Sequence, residues 1–366
     1  MNHSEGSFIY LAMNEINLFT PGRLGGISTP NRIVMAPMTR SRASNIGVPS
    51  ELTADYYAQR ASAGLIISEG TSPSEMGTGY ARTPSLYTQE HVAAWRKVTN
   101  AVHAKGGRIF VQLMHVGRIA HSANRLTAEP PVAPSAIRAA GQMWTDAGGM
   151  QPNDLPRALE TSEIPGIVAE FAHASGLALD AGFDGVELHA ASGYLPAQFL
   201  SSGTNQRTDQ YGGSLANRIR FTVETLHAMI AAVGTPAKVG IKISPAMPFN
   251  DCNDADPEET YSALTRAIAP LGMAYLHVMR STLPSIIATL RPLFPGALLA
   301  GGGFDFSSGN QMLAENVADF MVYGQAYVAN PDLPERFARA IPLAKPDPAT
   351  FYTPGPQGYT DYPAAM

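Results

Sequence analysis

The chain has 366 residues, 45% hydrophobic and 15% charged, with a net charge of −5 at pH 7. That suffices for one large core or two ordinary ones, and an acidic balance with no Lys/Arg-rich run speaks against a nucleic-acid partner. The single cysteine, Cys252, excludes an internal disulfide framework and suits a reducing compartment.

The N-terminus has a brief apolar run without a basic region before it, and no stretch is long enough to span a bilayer. Cytoplasmic residence with no membrane partner is therefore expected. Short runs rich in Val, Ile and Leu then punctuate the chain. They fall at residues 33–38 (IVMAPM), 65–70 (LIISEG), 109–115 (IFVQLMH) and 185–190 (GVELHA). The second half adds 239–245 (VGIKISP), 275–280 (YLHVMR), 297–303 (ALLAGGG) and 320–325 (FMVYGQ). Continuous rather than alternating apolar character predicts parallel strands buried on both faces.

Helical patterns lie between them. Residues 89–105 form one, stopped by Gly106 and Gly107. Thr161 or Ser162 is placed to cap a second, with Pro165 in its first turn and Gly182 past its end. Asp256-Pro257-Glu258-Glu259 reads as the start of a third. Repeated βα units of this kind predict α/β architecture, a (β/α)8 TIM barrel spanning 1–366 as one domain. The structural rival, an open doubly wound sheet, lacks a G-x-G-x-x-G after the first strand in its dinucleotide-binding form. Residues 1–17 read as a flexible extension, 341–366 as a tail, and 116–160, rich in Pro, Ala and Gly, as a long loop or flap over the barrel.

In a barrel the C-terminal ends of the strands share one pocket. Those ends carry Thr39, Gly70, Gln112, Met114, His115, His189, Lys242, His277, Arg280, Gly301, Gly302, Gly303, Gly324 and Gln325. The set has no carboxylate pair for glycoside chemistry. It has no H-E-x-x-H or cysteine pair, so no metal is expected, and no G-x-S-x-G. Amides, a hydroxyl, imidazoles, a cation and glycine turns suit a flat polar heterocycle bearing a phosphate. The glycine turns after the last two strands are where barrels often hold that phosphate, though the same turns also occur in barrels without a ligand.

Longer motifs narrow the reading. HAASGYLPAQFLSSGTNQRTDQYGGSLANRIRF (189–221) closely resembles the signature of the old yellow enzyme family of FMN-dependent ene-reductases. So do IVMAPMTRSRA (33–43), YYAQRASAGLIISEGT (56–71), VQLMHVGRIAHS (111–122), ANPDL (329–333) and GYTDYP (358–363). The resemblance implies an FMN-bearing TIM barrel that uses NADPH or NADH to reduce the C=C bond of an α,β-unsaturated carbonyl or related small molecule. It implies a ping-pong cycle and a monomer or homodimer. By the same resemblance Thr39 meets the flavin C4 carbonyl, with Pro37, Met38 and Gly70 beside it, and Gln112 bonds the pyrimidine edge. His189 grips the substrate carbonyl and Tyr194 is the proton donor. Gly302, Gly303 and Gly324 belong to the phosphate turns, while Met114 and Tyr352 line the substrate pocket. Taken singly, each of these residues has an ordinary structural explanation; it is their joint occurrence within long motifs that carries weight.

The resemblance also exposes departures. The second carbonyl-gripping residue, His or Asn in the family, is Ser192, and the arginine of the GIKISP strand is Lys242. A tryptophan common in the third-strand motif is Met114, and the phosphate-clamping arginine is Gln325. Loss of a charge-assisted clamp is expected to weaken FMN binding by ~1.5–3 kcal/mol, and Arg280 is a candidate replacement cation. The alternative reading is a barrel that has lost flavin use and acts as a redox-neutral isomerase, lyase or cyclase through His189 and Tyr194.

Overall fold

The computed structural model describes residues 16–365. The predicted N-terminal extension falls outside them except for its last two residues. Eight parallel strands close into a barrel: β1 (Ile33–Met35), β2 (Leu65–Ile67), β3 (Ile109–Leu113), β4 (Gly185–Ala190), β5 (Val239–Ile243), β6 (Tyr275–Met279), β7 (Leu298–Gly301) and β8 (Phe320–Tyr323). This is the (β/α)8 architecture expected from the apolar runs. Each strand pairs with its sequence neighbours, and β8 closes on β1. All the strands but β4 are shorter at their C-terminal ends than the apolar runs suggest. Residues 37–40, Gly70 and Met114, just past those ends, line the barrel mouth.

Two apolar layers hold the barrel. Val34, Leu65, Ile67, Phe110, Tyr275, Leu299 and Phe320 fill its lower interior together with Leu24. Leu24 comes from a hairpin, Gly22–Leu24 with Ile27–Thr29, that closes the bottom. Its turn tolerates no side chain at Gly25, which has φ +51° and where a Cβ would stand 2.0 Å from the Ala237 carbonyl oxygen. The outer layer packs helices such as Gln89–Ala104, Ile164–Asp180 and Leu215–Val233 on the strands through Trp95, Phe171, Phe221 and Leu226.

One predicted cap is corrected. The N-cap position of helix Ile164–Asp180 is held by Glu163, whose side chain makes no capping bond, rather than by Thr161 or Ser162. The Thr161 hydroxyl is drawn away to donate to the Asp209 carboxylate. Asp256 caps Pro257–Ile268, accepting from the Glu259 N–H.

Residues 116–160 carry a hairpin, Gln142–Thr145 with Gly149–Pro152, and a short parallel pair, Val132–Ala133 with Arg157–Ala158. Val116, Ile119, Ala139 and Met143 of this segment cluster with Met114 and pack on Tyr80 and Tyr194. The tail is held by two buried arginines. Arg40 donates to the carbonyls of Phe351 (3.2 Å) and Gly358 (2.7 Å), and Arg42 to those of Thr350 (2.9 Å), Gly355 (3.0 Å) and Gln357 (2.9 Å). Tyr359 stacks on Tyr56 with centroids 4.1 Å apart. These contacts fix the positions of Phe351 and Tyr352.

Candidate active site

A cavity of about 310 Å3 opens at the C-terminal ends of the strands. Its wall includes Pro37, Met38, Thr39, Gly70, Gln112, Met114, His189, Ser192, Tyr194, Lys242, Gln325 and Tyr352, so most of the residues singled out in the sequence converge there. Gly302, Gly303 and Gly324 do not line it. Gly324 lies behind Met38, where a Cβ would stand 3.5 Å from the Met38 sulfur. Gly302 and Gly303 form the neighbouring turn, with φ of +110° and +81°, conformations that disfavour any side chain.

Strand parity explains the floor. Glu187 and His189 alternate on β4, so both point inward. Register sets Glu187 opposite Gln112 on β3, and His189 opposite Lys242 on β5; Lys242 in turn faces His277 on β6. The fully buried Glu187 carboxylate accepts from Gln112 Nε2 at 2.7 Å and from His277 Nδ1 at 3.0 Å. With its Nε2 committed there, Gln112 turns Oε1 to the cavity. Burial lowers the proton affinity of Lys242, and the Glu187 charge opposes that shift. Among the described residues none accepts a hydrogen bond from the Lys242 ammonium, which leaves it to the cavity. Gly70 packs closely on Met114: a Cβ on it would stand 2.6 Å from the Met114 sulfur, so that flexible side chain would have to shift.

His189 is buried, and burial, reinforced by the nearby Lys242 charge, holds its pKa well below the ordinary value. The imidazole is therefore neutral at pH 7. Its Nδ1 accepts the Ala191 backbone N–H at 3.2 Å, which places the remaining proton on Nε2. The Tyr194 ring meets His189 edge-on, with centroids 4.8 Å apart. Burial, with the Tyr80 hydroxyl second, pushes the Tyr194 phenol well above its ordinary pKa, so it keeps its proton. That hydroxyl donates to Tyr80 at 3.0 Å.

Ser192 stands in the left-handed region at φ +54°. The conformation is held from both sides: Ser192 N–H donates to the Ser244 hydroxyl (2.7 Å), and its carbonyl accepts from Asn250 Nδ2 (2.7 Å).

Several wall residues escape a reading of the sequence. Tyr80, which stands behind the wall as the partner of Tyr194, lies in a loop with no periodic signal. Phe249, Val328 and Phe351 reach the cavity from loops or short helical turns. Glu187 did carry a signal, as an acid inside an otherwise apolar buried strand.

Comparison with known proteins agrees with this geometry. Residues 17–344 match the NADH:flavin oxidoreductase / NADH oxidase family. The chain is 41% identical to 12-oxophytodienoate reductase 1 of Oryza sativa subsp. japonica over 95% of its length and 93% of the relative's. It is 42% identical to a probable flavin mononucleotide-dependent alkene reductase of Leishmania infantum, covering 94% and 97%. Morphinone reductase in complex with tetrahydroNAD superposes with a TM-score of 0.92 at 46% identity, covering 96% and 98%.

Proposed function

The chain belongs to the NADH:flavin oxidoreductase / NADH oxidase family, the old yellow enzymes, and from that premise we propose that it reduces the activated C=C bond of an α,β-unsaturated carbonyl small molecule. It is an NAD(P)H:flavin oxidoreductase, and its cofactor is FMN. The residues present fit that group. Gln112 Oε1 and the Thr39 hydroxyl are polar groups left to the cavity, as a flavin's pyrimidine edge and C4 carbonyl require. Lys242 offers positive charge on the same side, and the 302–303 turn is compatible with a phosphate.

When bound, FMN supplies two-electron transfer between the nicotinamide and the substrate. The protein residues take the polar half of the reaction. His189 Nε2–H donates to the substrate's carbonyl oxygen and withdraws electron density from its conjugated C=C. The Ser192 hydroxyl is the second donor, with shorter reach than an amide. Tyr194 delivers its proton to Cα as negative charge develops there, and Tyr80 holds the phenol in position until it does. Met114, Phe249 and Tyr352 of the cavity wall bound the space left to the substrate.

The observation that carries this reading is the pairing of a neutral, tautomer-fixed His189 with a protonated Tyr194 at 4.8 Å in one cavity. The test is to mix purified protein with NADPH under anaerobic conditions, then add cyclohexenone. Bleaching of the yellow colour followed by its return with saturated ketone formation is expected. Bleaching that no enone reverses would overturn the ene-reductase reading while leaving the flavoprotein intact.

A further inference from the structure

The glycine turns after β7 and β8 are the part of a barrel mouth where a phosphate is commonly held, and here neither strand supplies a cation to hold it. Between residues 275 and 330 the chain has only two Lys or Arg side chains, Arg280 and Arg291. Arg291 lies at the opposite end of the barrel, donating to Asp319 at 2.6 Å, just before β8 begins. Arg280 follows the last residue of β6, at the mouth.

Its placement is specific. Met279 pairs with Gly301, and Gly301 with Val322, so β6 flanks β7 on one side and β8 flanks it on the other. Arg280 and Gln325 therefore approach the 301–303 turn from opposite sides. The Arg280 N–H donates to the Gly301 carbonyl at 2.7 Å, and a Cβ on Gly302 would stand 2.9 Å from the Arg280 Cβ. The base of the arginine thus leans on the turn. Its guanidinium lies 5.6 Å from the centroid of Phe304, the residue that follows the turn. Arg280 is exposed, and among the described residues it makes no ion pair with a carboxylate. The acid of that loop, Asp305, is committed to its own helix, accepting from the Ser308 N–H (2.8 Å) and hydroxyl (2.7 Å).

We propose that Arg280 is the cation that holds the FMN phosphate, taking over from β6 the task that Gln325 on the β8 side cannot perform. The inference rests on the FMN reading above. A guanidinium offers a planar fork of donors that matches a phosphate, whereas the Gln325 amide offers two neutral N–H bonds. A side chain on either flank of a glycine turn reaches the same few ångströms of space, so the charge can move between strands while the phosphate stays where it is.

Flavin-free protein titrated with FMN and, separately, with riboflavin tests this, followed by quenching of flavin fluorescence. Riboflavin shares the ring and ribityl chain and lacks only the phosphate. The native chain should prefer FMN. Arg280→Ala should weaken FMN binding by about ten- to a hundredfold and leave riboflavin within about twofold. Arg280→Lys should fall between the two. Adding Gln325→Arg to Arg280→Ala should restore tight FMN binding. An unchanged FMN preference in Arg280→Ala would overturn the assignment while leaving the flavoprotein reading standing. Equal losses for FMN and riboflavin would also overturn it, since they would mark a structural role. A native chain that binds neither flavin would overturn both.

Discussion

At the ends of β3, β4 and β5 the cavity wall is built of side chains bonded to one another. Gln112 and Glu187, joined by His277 from β6, form one buried chain of hydrogen bonds, and the rings of His189 and Tyr194 pack edge-on as a second pair. At the ends of β7 and β8, beside the cavity, the barrel mouth is shaped by backbone: glycine turns at 301–303 and 324, with Arg280, which follows β6, and Gln325 exposed on their flanks. Proton transfer and polarisation require fixed tautomers and sub-ångström placement, and those come from networks in which each member orients the next. Holding a phosphate requires N–H groups and one positive charge, which a flexible side chain supplies from more than one direction. The departures from the resemblance fall along that line. The networked side keeps its histidine and tyrosine, while Ser192, Lys242 and Met114 change around them. On the backbone side the cation itself changes strands.

The contrast can be broken at several points. Among variants that leave the proton donor in place, the largest effect should come from His189→Ala, which removes the oriented donor. We expect kcat/KM for an enone to fall about ten- to a hundredfold, with the rate of flavin reduction by NADPH much less affected; a drop in both half-reactions would show that His189 serves the cofactor. Next, Glu187→Gln takes the charge from a buried acceptor that holds two partners. Denaturant unfolding should show a loss of ~1–3 kcal/mol, whereas Arg280→Ala on the exposed side should stay within ~0.5 kcal/mol.

Ser192→Asn should act in the opposite sense. Asparagine tolerates the left-handed backbone better than serine and brings an amide of longer reach. A gain of ~0.5–1 kcal/mol in stability and a lower KM are expected, and a destabilised variant would mean that the serine is matched to its surroundings. The smallest effect is an expected absence. Burial keeps His189 unprotonated below its ordinary pKa and keeps Tyr194 protonated above its own. Neither group changes charge between about pH 6 and 9, so kcat/KM for the enone half-reaction should be flat there. A loss of activity on descending through about pH 6.5 would contradict the neutral His189.

Much of this was legible in the amino-acid sequence, and the rest was not for identifiable reasons. All eight barrel strands could be found because a strand buried on both faces leaves an unbroken apolar run. The bottom hairpin left a weaker signal, the Gly25-Gly26 turn between two runs of only three residues. The flap hairpin alternates over only four residues, Gln142 to Thr145, too few to stand out among prolines and glycines. The cap of helix Ile164–Asp180 was misplaced because a hydroxyl at 161 has a better partner 48 residues away, which no local pattern reports. His189, Ser192 and Tyr194 announced themselves by clustering after one strand. Tyr80 comes to Tyr194 from 114 positions earlier, and Arg280 acquires meaning only once β6 is known to flank β7. Side chains that act through long-range neighbours stay silent until the topology is in place.

The central claim is that the networked face supplies the proton and the carbonyl grip while FMN supplies the electrons. The most direct measurement is anaerobic stopped-flow of the native chain and Tyr194→Phe, with the two half-reactions recorded separately. Bleaching by NADPH should proceed at the same rate in both proteins. Return of the yellow colour on adding cyclohexenone should be slower in Tyr194→Phe by about two decades or more. A variant that the enone re-oxidises as fast as the native chain would contradict the account.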